Sequence, residues 1–263
     1  MPAVSPARLK KDVAQLGDLF TSPDEFGAAL GRVLDFYADR TLRPGQSGQP
    51  PPLIPAYNVP RPVLRQIETE LAQQAAIHPE EALRLADKLW ASQELECKLL
   101  AIRTLENTPI IFGEEIHARV QAWAQPSEPA ELLAGLFSSA VKTRPQAILA
   151  LVEGWLAIPE APFQAMGLLA LQTLAETGND DLLPALFRLL GGLVSRTNAD
   201  TKMKLPELTR MLGRRNPRET AFFLRQNFII TEQAQIGWLI RQTLPAFPVD
   251  VQAELRQFMR ENR

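Results

Sequence analysis

The sequence predicts an all-α protein, a solenoid of about 13–14 helices stacked as pairs. Three observations carry that prediction. The stretch Pro79–Leu105 reads as two short helices with a tight joint, and it recurs as Pro145–Leu174 and Pro217–Leu244. Each copy opens on proline, reaches a large aromatic at or near the end of its first helix (Trp90, Trp155, Phe228) and closes its second helix on an Arg/Gln-Thr-Leu tripeptide. Composition points the same way: 46% of the residues are hydrophobic, Leu and Ala dominate, and there are only two tyrosines, Tyr37 and Tyr57, a bias toward helix over sheet. The 22 prolines are the third observation, because many fall in first helical turns, where a missing N–H costs nothing. The opening prolines lie 66 and 72 residues apart, so each interval has room for one more helical pair.

Taken in order, residues 5–20 place Leu9, Val13, Leu16 and Phe20 at helical spacing. Ser22-Pro23-Asp24-Glu25 starts the next helix, with an N-cap serine, a first-turn proline and carboxylates at the positive dipole end. That helix runs to about Arg40 with Phe26, Leu30, Val33, Leu34 and Tyr37 inward. Residues 43–55, RPGQSGQPPPLIP, read as a plain loop or as a Pro-rich arm that stiffens from flexible chain into polyproline II; with its continuation to 59 it separates the N-terminal helices from the main array. A helix starts near Arg61-Pro62 and carries Val63, Leu64, Ile67 and Leu71. In the first copy, Ala82, Leu85, Ala86 and Leu89 form an apolar stripe with Trp90 on its edge. Further helices fall at 113–125, 129–143, 145–158, 161–177, 180–195, 200–214, 217–228, 232–246 and 248–261. Asn216-Pro217-Arg218-Glu219 has the pattern of a capping box. The β-like run Phe228–Thr231 is too short for a strand and sits where a repeat joint belongs. The whole of 1–263 is expected to form a single domain.

Composition also bounds function. One cysteine, Cys97, excludes an internal disulfide and fits a reducing compartment; on an apolar helix it reads as a small core residue. Two histidines, His78 and His117, cannot make a histidine-rich metal site, and the sequence offers neither a metal site nor a cofactor motif. No apolar signal region and no run of about 18 apolar residues occurs, so the expectation is a cytoplasmic protein with no membrane partner. The formal charge of −2 hides an asymmetry: residues 202–263 hold eleven Lys/Arg against six Asp/Glu, a balance of +5, and the rest carries −7. A basic C-terminal third suits an anionic partner; ordinary solvated helix faces are the alternative.

No phosphate-binding loop or nucleophile elbow is present, and paired acids such as Glu80/Glu81, Glu114/Glu115 and Asp180/Asp181 fall in first helical turns, where dipole stabilisation accounts for them. No catalytic residue is identified. In the third copy the core stripe is Ile236, Leu239, Ile240, Leu244 and Phe247, and Trp238 and Arg241 lie three apart on the other face. That pair offers an aromatic wall beside a phosphate contact; the alternative is Trp238 buried against a neighbouring pair.

Tyr57-Asn-Val-Pro-Arg-Pro-Val-Leu-Arg65, followed by Leu89-Trp90 and by Glu96 with Leu99-Leu100-Ala101, resembles the N-terminal half of the AlkD-like DNA alkylation repair family. Ile236-Gly237-Trp238-Leu239-Ile240-Arg241 is similar to that family's "IGWxLRE" helix, with Gln242 in place of the acid. The resemblance spans roughly residues 26–260. It implies a HEAT-like α-α superhelix whose concave cationic face holds duplex DNA and, in active members, hydrolysis of the N-glycosidic bond of alkylated purines. The chain departs from the family where that chemistry sits. The mid-chain helix that supplies an Asp in active members is here Ala130–Val141, AELLAGLFSSAV, with no Asp or Trp and Glu131 at its start; Phe163–Leu174 lacks the basic residue of the following repeat. Losing a carboxylate that stabilises a cationic transition state costs several kcal/mol of barrier. The expectation is therefore a DNA-binding relative, either catalytically silent or with altered chemistry, its phosphate contacts drawn from Lys202, Lys204, Arg214, Arg215, Arg241, Arg61 and Arg65, with Trp238 as the wall. A protein-interaction scaffold is the competing class, and a glycosylase with a relocated acid, Glu131 or Asp180, is a third.

Overall fold

The computed structural model describes residues 5–39, 54–194, 199–230 and 233–262, with the side chains of 199–203, 230 and 233 outside the description. Most of the Pro-rich arm and the side chain of Lys202 therefore lie outside the described residues. Among them the chain is helical, with fourteen α-helices and no strand. The chain divides into two compact units, residues 1–123 and 124–263.

The N-terminal unit holds α1 (Pro6–Asp18), α2 (Pro23–Tyr37), α3 (Arg61–Ile77), α4 (Pro79–Trp90), α5 (Leu95–Asn107) and α6 (Gly113–Trp123). The first four carry proline in the first or second position, where its fixed φ suits the helix and its missing N–H is no loss. Helices α1, α3 and α5 pack in one row and α2 and α4 in another. Leu9, Leu16, Phe20, Leu30, Leu34, Val63, Ile67, Leu71 and Leu85 fill the space between the rows. Cys97 is buried, and burial pushes its thiol up to about 11, as expected of a core residue rather than a reactive one.

Residues 55–59 are strapped to the start of α5. Glu96, only 4% exposed, accepts hydrogen bonds from the backbone N–H of Tyr57 (3.0 Å) and of Val59 (3.4 Å). Leu95 N–H donates to the Pro55 carbonyl at 2.8 Å. Between the two anchored amides, Asn58 takes φ +57°, a left-handed conformation that Asn tolerates better than most side chains. The strap explains why Tyr57–Val59 and Glu96 belong together in the sequence pattern.

The C-terminal unit holds α7 (Ala130–Val141), α8 (Pro145–Ala157), α9 (Ala161–Glu176), α10 (Leu183–Val194), α11 (Ala199–Arg215), α12 (Pro217–Ile230), α13 (Gln233–Thr243) and α14 (Val249–Glu261). Here too odd helices pack on odd ones (α7 on α9, α9 on α11, α11 on α13), while α8 packs on α10 and α12 on α14. Relative to the sequence pattern, α10 and α13 each give up about a turn to 3-10 geometry. A 3-10 turn, Asp180–Leu182, precedes α10. Pro245 has no N–H to continue α13, which closes as the 3-10 turn Leu244–Ala246. At the α11–α12 joint, Asn216 Nδ2 donates to Asp180 Oδ1 at 3.1 Å, so this residue ties two joints together.

The three repeat copies are the helix pairs α4/α5, α8/α9 and α12/α13. The threonine of each closing tripeptide is buried, and its hydroxyl donates to the carbonyl four residues back: Thr104 to Leu100 (2.9 Å), Thr173 to Leu169 (3.1 Å), Thr243 to Leu239 (2.9 Å). The late aromatic of each first helix finds an aromatic partner. Trp90 stacks on Trp123 with centroids 4.9 Å apart, Trp155 meets Phe137 at 5.4 Å, and Phe228 meets Phe258 edge-on at 5.5 Å. The ninth residue of each copy makes an ion pair to the next even helix. Asp87 receives Arg119 of α6 (2.7 Å), Glu153 receives Arg188 of α10 (2.7 Å), and Arg225 faces Glu254 of α14 (4.0 Å).

Candidate nucleic-acid interface

The sequence-derived cations fall on three helices, all odd-numbered: Arg61 and Arg65 on α3, Lys202, Lys204, Arg214 and Arg215 on α11, and Arg241 on α13. Burial of each helix's apolar stripe sets which way the remaining face points. On α3, Val63, Ile67, Leu71 and Ala75 are buried, which leaves Arg61 and Arg65, one turn apart, exposed. Arg65 borders a shallow cleft with Lys10, Gln66, Thr69, Glu70 and Gln73. On α11, Leu205, Leu208 and Leu212 are buried, and Lys204, Glu207 and Arg214 are exposed.

Arg215 has a structural task. Its Nη1 donates to the carbonyls of Ala175 (2.8 Å) and Glu176 (2.9 Å), closing the C-terminus of α9. Gly178, at φ +67°, makes room for this, since a Cβ there would fall on the guanidinium. Arg210 donates from Nε to the Gln242 carbonyl at 3.2 Å and so ties α11 to α13.

Positive charge is not continuous along the odd helices. Pro162, Ala165, Leu169, Gln172 and Glu176, on the less buried side of α9, include no cation. The cleft where α9 meets α11 is mixed, with Glu176 and Glu207 beside Arg210, Arg214 and Arg215. In α7, Leu132, Leu133, Leu136, Phe137 and Ala140 are buried, and Glu131 is exposed in the first turn.

On α13 the two residues paired by sequence differ in exposure. Trp238 is half-buried, whereas Arg241 is exposed and lines a cleft of about 410 Å³ between α12, α13 and α14 together with Arg256 and Arg260. Trp238 is not among the lining residues. Arg256 and Arg260 escaped the sequence reading, because an i, i+4 arginine pair on an amphipathic helix looks like a solvated face; only the docking of α14 on α12 brings them to the cleft that Arg241 lines. A second, larger groove of about 940 Å³ lies between α10 and α12, lined by Leu183, Phe187, Gly191, Phe222 and Phe223 among others.

Among the described residues no group of three or more His, Cys, Asp or Glu is placed to hold a metal, and no helix is long and apolar enough to cross a membrane. No curated protein and no solved structure matches the chain. A family model described as DNA alkylation repair enzyme matches residues 53–229. That stretch runs from just before the Glu96-anchored strap to the last turn of α12 and takes in the first two helix-pair copies and nearly half of the third. With two thirds of its length inside that match, the chain belongs to the DNA alkylation repair enzyme family.

Proposed function

We propose that this protein is a HEAT-like, DNA-binding member of its family that contacts duplex phosphates without excising bases. The observation that carries this reading is the exposure of the cations within each unit: Arg61 and Arg65 on α3 of the N-terminal unit, and Lys204, Arg214 and Arg241 on the mutually packed α11 and α13 of the C-terminal unit. None of these five has an ion-pair partner among the described residues. Lys202 joins them by sequence position, Arg215 contributes as a rigid, carbonyl-anchored neighbour, and Trp238 supplies the aromatic wall. Base excision is left out of the proposal because α7 offers only Glu131, exposed at its first turn, as a carboxylate.

Duplex titration against salt is the test. Five to six phosphate contacts give a slope of log K on log salt of about −5. Binding that is absent at low salt, or indifferent to it, ends the proposal. Release of free 7-methylguanine from alkylated DNA would restore the excision reading, with Glu131 or Asp180 as the acid. The α10–α12 groove, with Phe222 58% exposed, favours a second reading as a protein-interaction scaffold. A stable protein complex that survives nuclease treatment, together with no duplex affinity, would select it.

A further inference from the structure

We infer that the cleft between α12, α13 and α14 is a binding site for a phosphate monoester carrying a flat ring, the chemistry of one nucleotide unit. Most of this cleft lies beyond the family match, which ends at residue 229. Arg241 comes from α13, and Arg256 and Arg260 come from successive turns of α14. No carboxylate is among the cleft's described lining residues. Two acids of α14 have partners of their own: Glu254 faces Arg225 at 4.0 Å, and Glu261 accepts from Gln257 at 2.8 Å. Arg256 is steadied by Gln252 at 2.9 Å. Gly237 lies beneath Arg241, and a Cβ there would stand 3.5 Å from both Arg241 Nη1 and Phe228 Cε2.

Charge selects the ligand. Arg241 and Arg260 sit in the last turns of their helices, and each helix C-terminus offsets about half a charge. Among the described lining residues three guanidiniums face the cleft with no carboxylate beside them, and a dianionic monoester pairs with more of them than an internal monoanionic diester does. The apolar part of the lining is the half-buried Met259 with Ala234 and the edge of the largely buried Phe228, and the Met259 thioether is suited to contact with a base. A volume of about 410 Å³ is in the range of small-ligand pockets. Two sources share this chemistry, a free nucleotide and the phosphorylated end of a strand.

Calorimetric titration of the full chain with dAMP, deoxyadenosine and inorganic phosphate tests the site. A second arm titrates one hairpin oligonucleotide bearing either a 5′-phosphate or a 5′-hydroxyl. We expect dAMP to bind about tenfold or more tighter than deoxyadenosine, and Arg241→Gln/Arg260→Gln to remove that preference, while Arg84→Gln, on α4, keeps it. Thermal melting of each variant confirms folding, since both cleft arginines are exposed. A phosphorylated end that outcompetes the hydroxyl end assigns the site to strand ends; dAMP binding with no such gain assigns it to free nucleotides. No preference for dAMP over deoxyadenosine, or a preference that survives the double substitution in a folded protein, overturns the inference. The mononucleotide arm does not require duplex binding, so the two proposals fail separately.

Discussion

The first and third repeat copies share a core and differ in what they do with the same position. Two residues before the buried threonine stands Ile102 in α5 and Arg241 in α13; Ile102 is 4% exposed, and Arg241 lies open on a cleft. The second copy has Leu171 there, fully buried. Eight residues before the threonine, Glu96 in the first copy holds the 57–59 strap, where the third copy has Gln235. Core positions tolerate only apolar side chains of fitting volume, so they repeat; positions without covering neighbours are free to acquire charge, so they diverge.

The largest expected effect breaks the first copy alone. Glu96→Ala leaves two backbone N–H groups of the strap without their acceptor and should cost about 2–3 kcal/mol in urea unfolding. Gln235→Ala, at the equivalent place, should cost less than about 1 kcal/mol. Equal losses would mean that the strap contributes nothing particular to the first copy.

The shared threonines come next. Thr104→Val, Thr173→Val and Thr243→Val each remove one buried hydroxyl bond at nearly constant volume, at about 1 kcal/mol apiece. The three values should agree; a divergent one would show that the copies are not equivalent at this position. Smallest are the ion pairs between even helices. Arg119→Ala, which breaks a two-pronged contact to Asp87 (2.7 and 2.9 Å) from a side chain only 20% exposed, should cost up to about 1 kcal/mol. Arg225→Ala, at 4.0 Å from Glu254, should cost close to nothing measurable at moderate salt.

Much of the fold was legible because its signals are local. Proline at a first turn and apolar residues three and four apart place a helix without knowledge of the rest, and fourteen helices follow from them. The repeat was legible through Pro79, Pro145 and Pro217 and through the closing threonines. The site was legible only in part, since it depends on long-range partners. Arg215 looked like a free cation until its bonds to Ala175 and Glu176, about forty residues earlier, were seen. Arg256 and Arg260 carried no signal of their own. The value of Glu96 as an anchor is likewise invisible without knowing that Tyr57 and Val59 fold back onto it.

The ninth-residue ion pairs have a bearing on how the chain assembles. In the second copy the acid is on the first helix of the pair, Glu153, and the base follows on α10; in the third the order is reversed, with Arg225 first and Glu254 on α14. Similar helix pairs within one unit invite docking in the wrong sequence, a known hazard of repeat proteins. Were α8 to dock where α12 belongs, Glu153 would meet Glu254 and two carboxylates would face each other. The reversal therefore makes the charge pairing of the two copies non-interchangeable: the native order sets opposite charges together, and that misordered one would set like charges together.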